Sequence, residues 1–130
     1  MLSLNGKWSY ESYCPKAGTD ELLSPIAAPW APRGSLQVTT DASGKVTGTL
    51  KFAPRVELSV TGCMTNGGGK TPDGIDLTGE GMSAVYRIRG YFVAGAVGPI
   101  VVGTVVSVMN DLAKQPIGTS GPFVLFPAAE

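Results

Sequence analysis

The sequence predicts an all-β protein, about eight antiparallel strands closed into an up-and-down barrel. Three observations predict it. Short apolar or alternating runs recur along the chain, separated by Gly, Pro, Asn and Asp, with 18 glycines and 10 prolines supplying the punctuation. Several runs alternate with period two, which sets apolar side chains on one face of a strand and polar ones on the other. No long amphipathic helix is available to cover an open sheet, so closing the sheet on itself is the simplest way to bury its apolar face.

The first strand spans about residues 5–13, with Trp8, Tyr10 and Ser12 on one face and Lys7, Ser9, Glu11 and Tyr13 on the other. Trp8 is taken inward, and Tyr10 and Ser12 go with it. From Cys14 to Arg33, Pro15, Pro25, Pro29 and Pro32 exclude a central strand. This is the one long loop. Thr19 to Leu23 suits a single helical turn, capped by Thr19 and ended by Pro25. Leu22, Leu23, Ile26 and Trp30 need an apolar surface to rest on, and the mouth of the barrel provides one, so Trp30 is expected in a lid.

Strands over about residues 35–41 and 45–53 are joined by Asp41-Ala42-Ser43-Gly44, a short hairpin connection. Leu36, Val38, Val46, Leu50 and Phe52 face one way, while Gln37, Thr39, Lys45, Thr47 and Lys51 face the other. A strand over about 55–64 continues the pattern with Val56, Leu58 and Val60 inward. After the glycine-rich turn at 66–74 come a short strand at 75–79, two long ones at 83–94 and 99–109, and a last at 122–126.

On the strand over 83–94, Tyr86, Ile88 and Phe92 share a face, and Gly90 among them marks that face as the crowded interior. Arg87 and Arg89 then point outward and pair with Glu57, Asp76 or Glu80. A register change of one residue would instead bring both arginines into the lumen as a carboxylate site. The final strands differ from the others. Val101, Val105 and Met109 oppose Ile100, Val102, Val106 and Val108, and Phe123 and Leu125 oppose Val124 and Phe126, so both faces are apolar. A second copy of the chain is the expected cover, giving a homo-oligomer, a dimer or tetramer.

At 130 residues the chain fits one domain, 1–130. Its formal charge is zero, with ten basic and ten acidic residues, so the electrostatic footprint of a nucleic-acid or anionic-membrane binder is missing. The uncharged stretch from Gly90 to Met109 is interrupted by Gly95, Gly98 and Pro99, a turn cluster that argues against a membrane span. Met1-Leu2-Ser3 leads almost directly into the first strand, which fits no secretory leader, and a cytoplasmic location with Cys14 and Cys63 as reduced, unrelated thiols is expected.

The chemistry available is limited. With no histidine, the commonest general base and the commonest zinc ligand are both missing, and no metal or cofactor is implied. Gly69-Lys70-Thr71 lacks the upstream glycine of a phosphate loop, Met64 standing in its place, and Pro72 follows where a helix should start. Neither Ser83 nor Ser120 has the flanking glycines of a nucleophile elbow. What remains is Tyr10 with Ser12, and Tyr86. A phenol inside an apolar barrel can orient a ligand carbonyl or donate a proton, and it can equally be a core tyrosine satisfied by backbone or water.

Three segments, Leu4-Asn5-Gly6-Lys7-Trp8, Gly44-Lys45-Val46-Thr47-Gly48-Thr49-Leu50 and Leu58-Ser59-Val60-Thr61-Gly62, together resemble the avidin and streptavidin barrels, within the calycin group that includes the lipocalins. The resemblance implies a closed up-and-down barrel with a ligand in its mouth, Trp8 at the floor, and oligomers packed through the last strands. Biotin chemistry is not part of it. The family places a short amide or hydroxyl residue where this chain has Tyr10, and a later serine ligand falls near Cys14.

The residues therefore read as a binding barrel for a small, largely apolar organic molecule, lined by Trp8, Tyr10, Ser12, Leu36, Phe52, Tyr86 and Phe92, with Trp30 over the mouth. The alternative on the same scaffold is a small cofactor-free isomerase or cyclase, in which the cavity folds a hydrophobic substrate and Tyr10 or Tyr86 polarises a carbonyl. A third reading is an oligomerising structural domain with a filled barrel.

Overall fold

A computed structural model describes residues 3–14, 28–29, 33–52, 55–110 and 117–128. Its strands are β1 (Gly6–Cys14), β2 (Ala28–Pro29), β3 (Gly34–Thr40), β4 (Lys45–Phe52), β5 (Val56–Thr65), β6 (Gly74–Gly81), β7 (Ala84–Ala94), β8 (Pro99–Asn110) and β9 (Ser120–Pro127). From β3 to β9 each strand pairs antiparallel with the next, and β1 lies between β3 and β9, which closes eight strands into a ring. No helix occurs among the described residues. The closed eight-stranded antiparallel barrel is consistent with a calycin-like fold.

Alternation drives the closure. In β3, β4 and β5, Leu36, Val38, Val46, Leu50, Leu58 and Val60 are buried, while the residues between them are exposed or partly so. Each such strand has one face that is cheap to leave in water and one that is not, so the curled sheet turns all its apolar faces to a common interior. Phe52, expected inward, is half-buried and packs against that core.

Turn chemistry fixes the ends. Between β3 and β4, Asp41 Oδ1 accepts hydrogen bonds from the backbone N–H groups of Ser43 (2.9 Å) and Lys45 (2.9 Å) and from the Ser43 hydroxyl (2.7 Å). Gly44 follows with φ 89°, a conformation open to glycine at little cost. At the opposite end of the barrel, β6 and β7 are joined by Met82 and Ser83, both with positive φ (51° and 61°).

Two features depart from the sequence reading. The segment before Arg33 contributes a strand, β2, which pairs with the end of β1 (Tyr13 with Pro29, Cys14 with Ala28). Pro29 is tolerated because this is a short edge pairing and not a central strand. Trp30 and the helical turn expected at Thr19 to Leu23 lie outside the described residues.

The second departure is a register shift between β7 and β8. Val85 pairs with Met109 and Tyr86 with Ser107, leaving Val108 as the extra residue of a bulge. Inward parity holds through Val101, Val105 and Ser107, all buried, and is then broken. Val108 and Met109 are both exposed, so Met109 does not share the inward face of Val101 and Val105. The outer faces of β7 to β9 do carry apolar side chains in the open, among them Tyr91, Val93, Val102 and Phe126.

Candidate functional site

The barrel interior has two levels. Toward the end where the chain enters β1, Trp8, Leu36 and Phe92 are all buried. Trp8 lies across from Leu36 in the β1–β3 register, and its ring meets Phe92 edge-on with centroids 6.4 Å apart. The Trp8 indole N–H donates to the Leu4 carbonyl at 2.7 Å. That hydrogen bond satisfies the one polar atom of the ring, so the level can be closed without water.

Polar groups collect toward the other end, where β1, β4, β6 and β8 finish. Tyr10, one inward step beyond Trp8, is 4% exposed. Its ring stacks on Phe123 (centroids 5.9 Å, planes 20° apart) and meets Phe52 edge-on (5.7 Å, 77°). Burial pushes the Tyr10 phenol up to about 12; a hydrogen bond with Ser12 works against that shift and nearby Tyr86 adds to it. At neutral pH Tyr10 is therefore a protonated phenol, able to give a hydrogen bond as well as accept one. Ser12 is buried, and Tyr86 is half-buried against the core.

Sequence reasoning missed a residue at this end. Ser107 is wholly buried, paired with Tyr86 at the edge of the bulge, and its hydroxyl has no hydrogen-bond partner among the described residues. The backbone of Ser107 is held firmly: its N–H donates to Thr119 O at 2.8 Å and its carbonyl accepts from Gly118 N at 2.7 Å. A lone polar residue at the inward parity of an otherwise apolar strand was the signal available in the sequence. Thr40 Oγ1 is the other buried oxygen without a partner among the described residues, on a half-buried residue at the last position of β3.

Gly79 leaves room for a methyl group. It follows Ile75 and Leu77 on the inward face of β6, is buried, and pairs with Val60 on one side and Tyr86 on the other. A methyl group placed there would meet only Leu58 among the described residues, Cδ1 at 3.7 Å and Cβ at 4.0 Å. Gly34 and Gly90 differ. Added Cβ atoms there would come within 2.7 Å of the Phe52 ring and 2.8 Å of the Phe123 ring respectively, so these glycines are already covered by aromatic neighbours.

Charge stays outside. No Asp, Glu, Lys or Arg among the described residues is buried. Arg87 and Arg89 both reach Asp76, at 3.0 and 3.2 Å, on the outer surface. Burial acts to raise the Asp76 pKa, but hydrogen bonds from the two guanidiniums outweigh it and hold the carboxyl below its ordinary range. The expected exterior ladder thus forms on Asp76, and the carboxylate site inside the lumen does not arise. An open groove of about 340 Å³ lies on the same outer face, between Asn66, Gly67, Thr71, Asp76, Arg89 and Tyr91. The two ionic groups that line it, Asp76 and Arg89, are paired with each other.

Among the described residues no cluster of His, Cys, Asp or Glu could hold a metal ion. Fold and site together define a closed β-barrel with a small polar group of side chains at one end of an apolar interior. In comparison with known proteins, no family model matches the chain, and no curated protein or solved structure matches it either.

Proposed function

We propose that the barrel binds a small, largely apolar organic molecule at the end of its lumen where Tyr10, Ser12 and Tyr86 lie, much as the avidin-like resemblance of its strands implies. The observation that carries this reading is the group of inward hydroxyls, Tyr10, Ser12 and Tyr86, at one end of an otherwise apolar interior, beside Gly79, where an added methyl group would make only ordinary contact with Leu58. Apolar walls supply the affinity and a few hydroxyls fix orientation, the usual division of labour in small-molecule sites. Uptake of Nile red, a neutral dye that brightens and shifts to the blue in apolar surroundings, tests it. Saturable binding at one dye per chain is expected; no uptake would contradict the reading.

A second reading, an isomerase or cyclase on the same scaffold, is favoured by one feature. Tyr10 remains a protonated donor across the working pH range, as a group that polarises a substrate carbonyl must. Loss of turnover in Tyr10→Phe with binding retained would mark it as catalytic. A homo-oligomer joined through the outer apolar faces of β7 to β9, in the cytoplasm, completes the proposal. The exposed, free thiol of Cys63 fits a reducing compartment.

A further inference from the structure

We infer that Ser107 is the hydrogen-bond anchor of the lumen site, and that the ligand is a neutral molecule with an apolar body and a single hydrogen-bonding head such as a carbonyl. The inference rests on the binding reading above and goes beyond it, because it assigns a residue and selects a chemical class.

Two independent observations support it. Ser107 Oγ is fully buried and has no partner among the described residues, although its backbone is held by two hydrogen bonds to the segment that leads into β9. A buried hydroxyl without a partner is costly, and in native proteins such a group points to a water, an ion or a ligand that completes it. Its strand neighbour is Tyr86, whose proximity to Tyr10 links it to the Tyr10–Ser12 pair, so the hydroxyl lies with the polar group at that end of the interior. The second observation concerns charge. With every acidic and basic side chain among the described residues outside the core, a carboxylate or ammonium ligand would be stripped of water and given no counter-ion. A neutral head group suffers no such penalty.

Three probes of the same bicyclic body separate the possibilities: acetylnaphthalene with one carbonyl, ethylnaphthalene with none, and naphthoate with a negative charge, all substituted at the same ring position. They are titrated by calorimetry into the full chain, stripped of any retained molecule by unfolding and refolding, and into its Ser107→Ala variant. In the wild type, acetylnaphthalene should bind roughly two- to tenfold tighter than ethylnaphthalene, the ordinary worth of one hydrogen bond, with naphthoate weakest. Ser107→Ala should erase the carbonyl preference and leave ethylnaphthalene unchanged. Its melting temperature without ligand should rise, by about 2–5 °C, because an unsatisfied hydroxyl has been removed.

A carbonyl preference that survives in Ser107→Ala, or naphthoate binding tightest, would overturn the assignment while leaving lumen binding intact. A fall in melting temperature on Ser107→Ala would show the hydroxyl to be structurally satisfied and would also overturn it. Failure of all three probes to bind the wild type would overturn the underlying binding reading instead.

Discussion

The ring of Tyr10 lies on that of Phe123, centroids 5.9 Å apart and planes 20° from parallel, so a phenol from β1 rests on an aromatic ring from β9 inside the barrel. Phe123 fits because Gly90 leaves it room: a Cβ on Gly90 would sit 2.8 Å from Phe123 Cζ and 2.7 Å from Val102 O. A glycine on β7 thus positions an aromatic from β9, which in turn holds a phenol from β1.

The phenol makes stability sensitive to alkali. Tyr10 has its pKa raised by burial to about 12, above the ordinary value of 10.0, so the folded state holds a proton that the unfolded chain releases first. That contribution is complete below pH 10.0 and is lost as pH rises through about 12. A shift of that size corresponds to on the order of 2–3 kcal/mol. Urea unfolding of wild type and Tyr10→Phe at a series of pH values checks it. The stability of the wild type relative to the variant should be constant from pH 7 to about 9 and decline above about 10; parallel curves throughout would mean that Tyr10 is solvated.

A strained turn sits at the polar rim. Met82 and Ser83 have φ of 51° and 61° between paired Gly81 and Ala84, the positive-φ pairing typical of a type I′ hairpin, which Asn-Gly adopts far more readily than Met-Ser. Replacing the pair by Asn-Gly should stabilise the protein by about 1 kcal/mol or more, read as a higher urea midpoint with unchanged slope. An unchanged or lower midpoint would show that the exposed Met82 side chain contributes more than the backbone strain takes away.

Much of this fold was legible in the sequence because period-two alternation is a local property. β3, β4 and β5 each carry their inside and outside in the order of their residues, and Gly90 marked the correct face of β7. Other features depend on the partner strand. The β7–β8 bulge that turns Met109 outward is set by pairing across the sheet, and no residue in β8 alone announces it. Ser107 went unnoticed for a related reason: its position shares the face of Val101 and Val105, but whether its hydroxyl finds a partner is decided by the strands beside it. Of the candidate site, the inward placement of Tyr10, Ser12 and Tyr86 follows from Trp8 and Gly90, whereas the row that sets Gly79, Tyr86 and Ser107 side by side is defined by pairing between strands.

The outer apolar strip gives a test of assembly. Val102 points outward, 36% exposed, between Tyr91 and Val124 in the register, whereas Val105 faces the core at 2%. Val102→Lys should therefore dissociate an oligomer joined at this face and leave the barrel's own stability within about 0.5 kcal/mol, as for most surface substitutions. Light scattering at high micromolar concentration measures both proteins. A monomeric wild type would remove the basis for the proposed interface.

Occupancy of the lumen beside Gly79 is the central claim, and native mass spectrometry of wild type and Gly79→Leu, both produced in the natural host, tests it most directly. A Cβ at Gly79 would make only ordinary contact, with Leu58 among the described residues, and the rest of a leucine side chain would compete with a ligand for the proposed site, so it should displace that ligand while keeping the barrel folded. The expected result is an additional small mass on each wild-type chain, released on denaturation, and a bare Gly79→Leu chain with the same β-sheet spectrum. Equal additional mass on both proteins, or none on the wild type, would contradict the account.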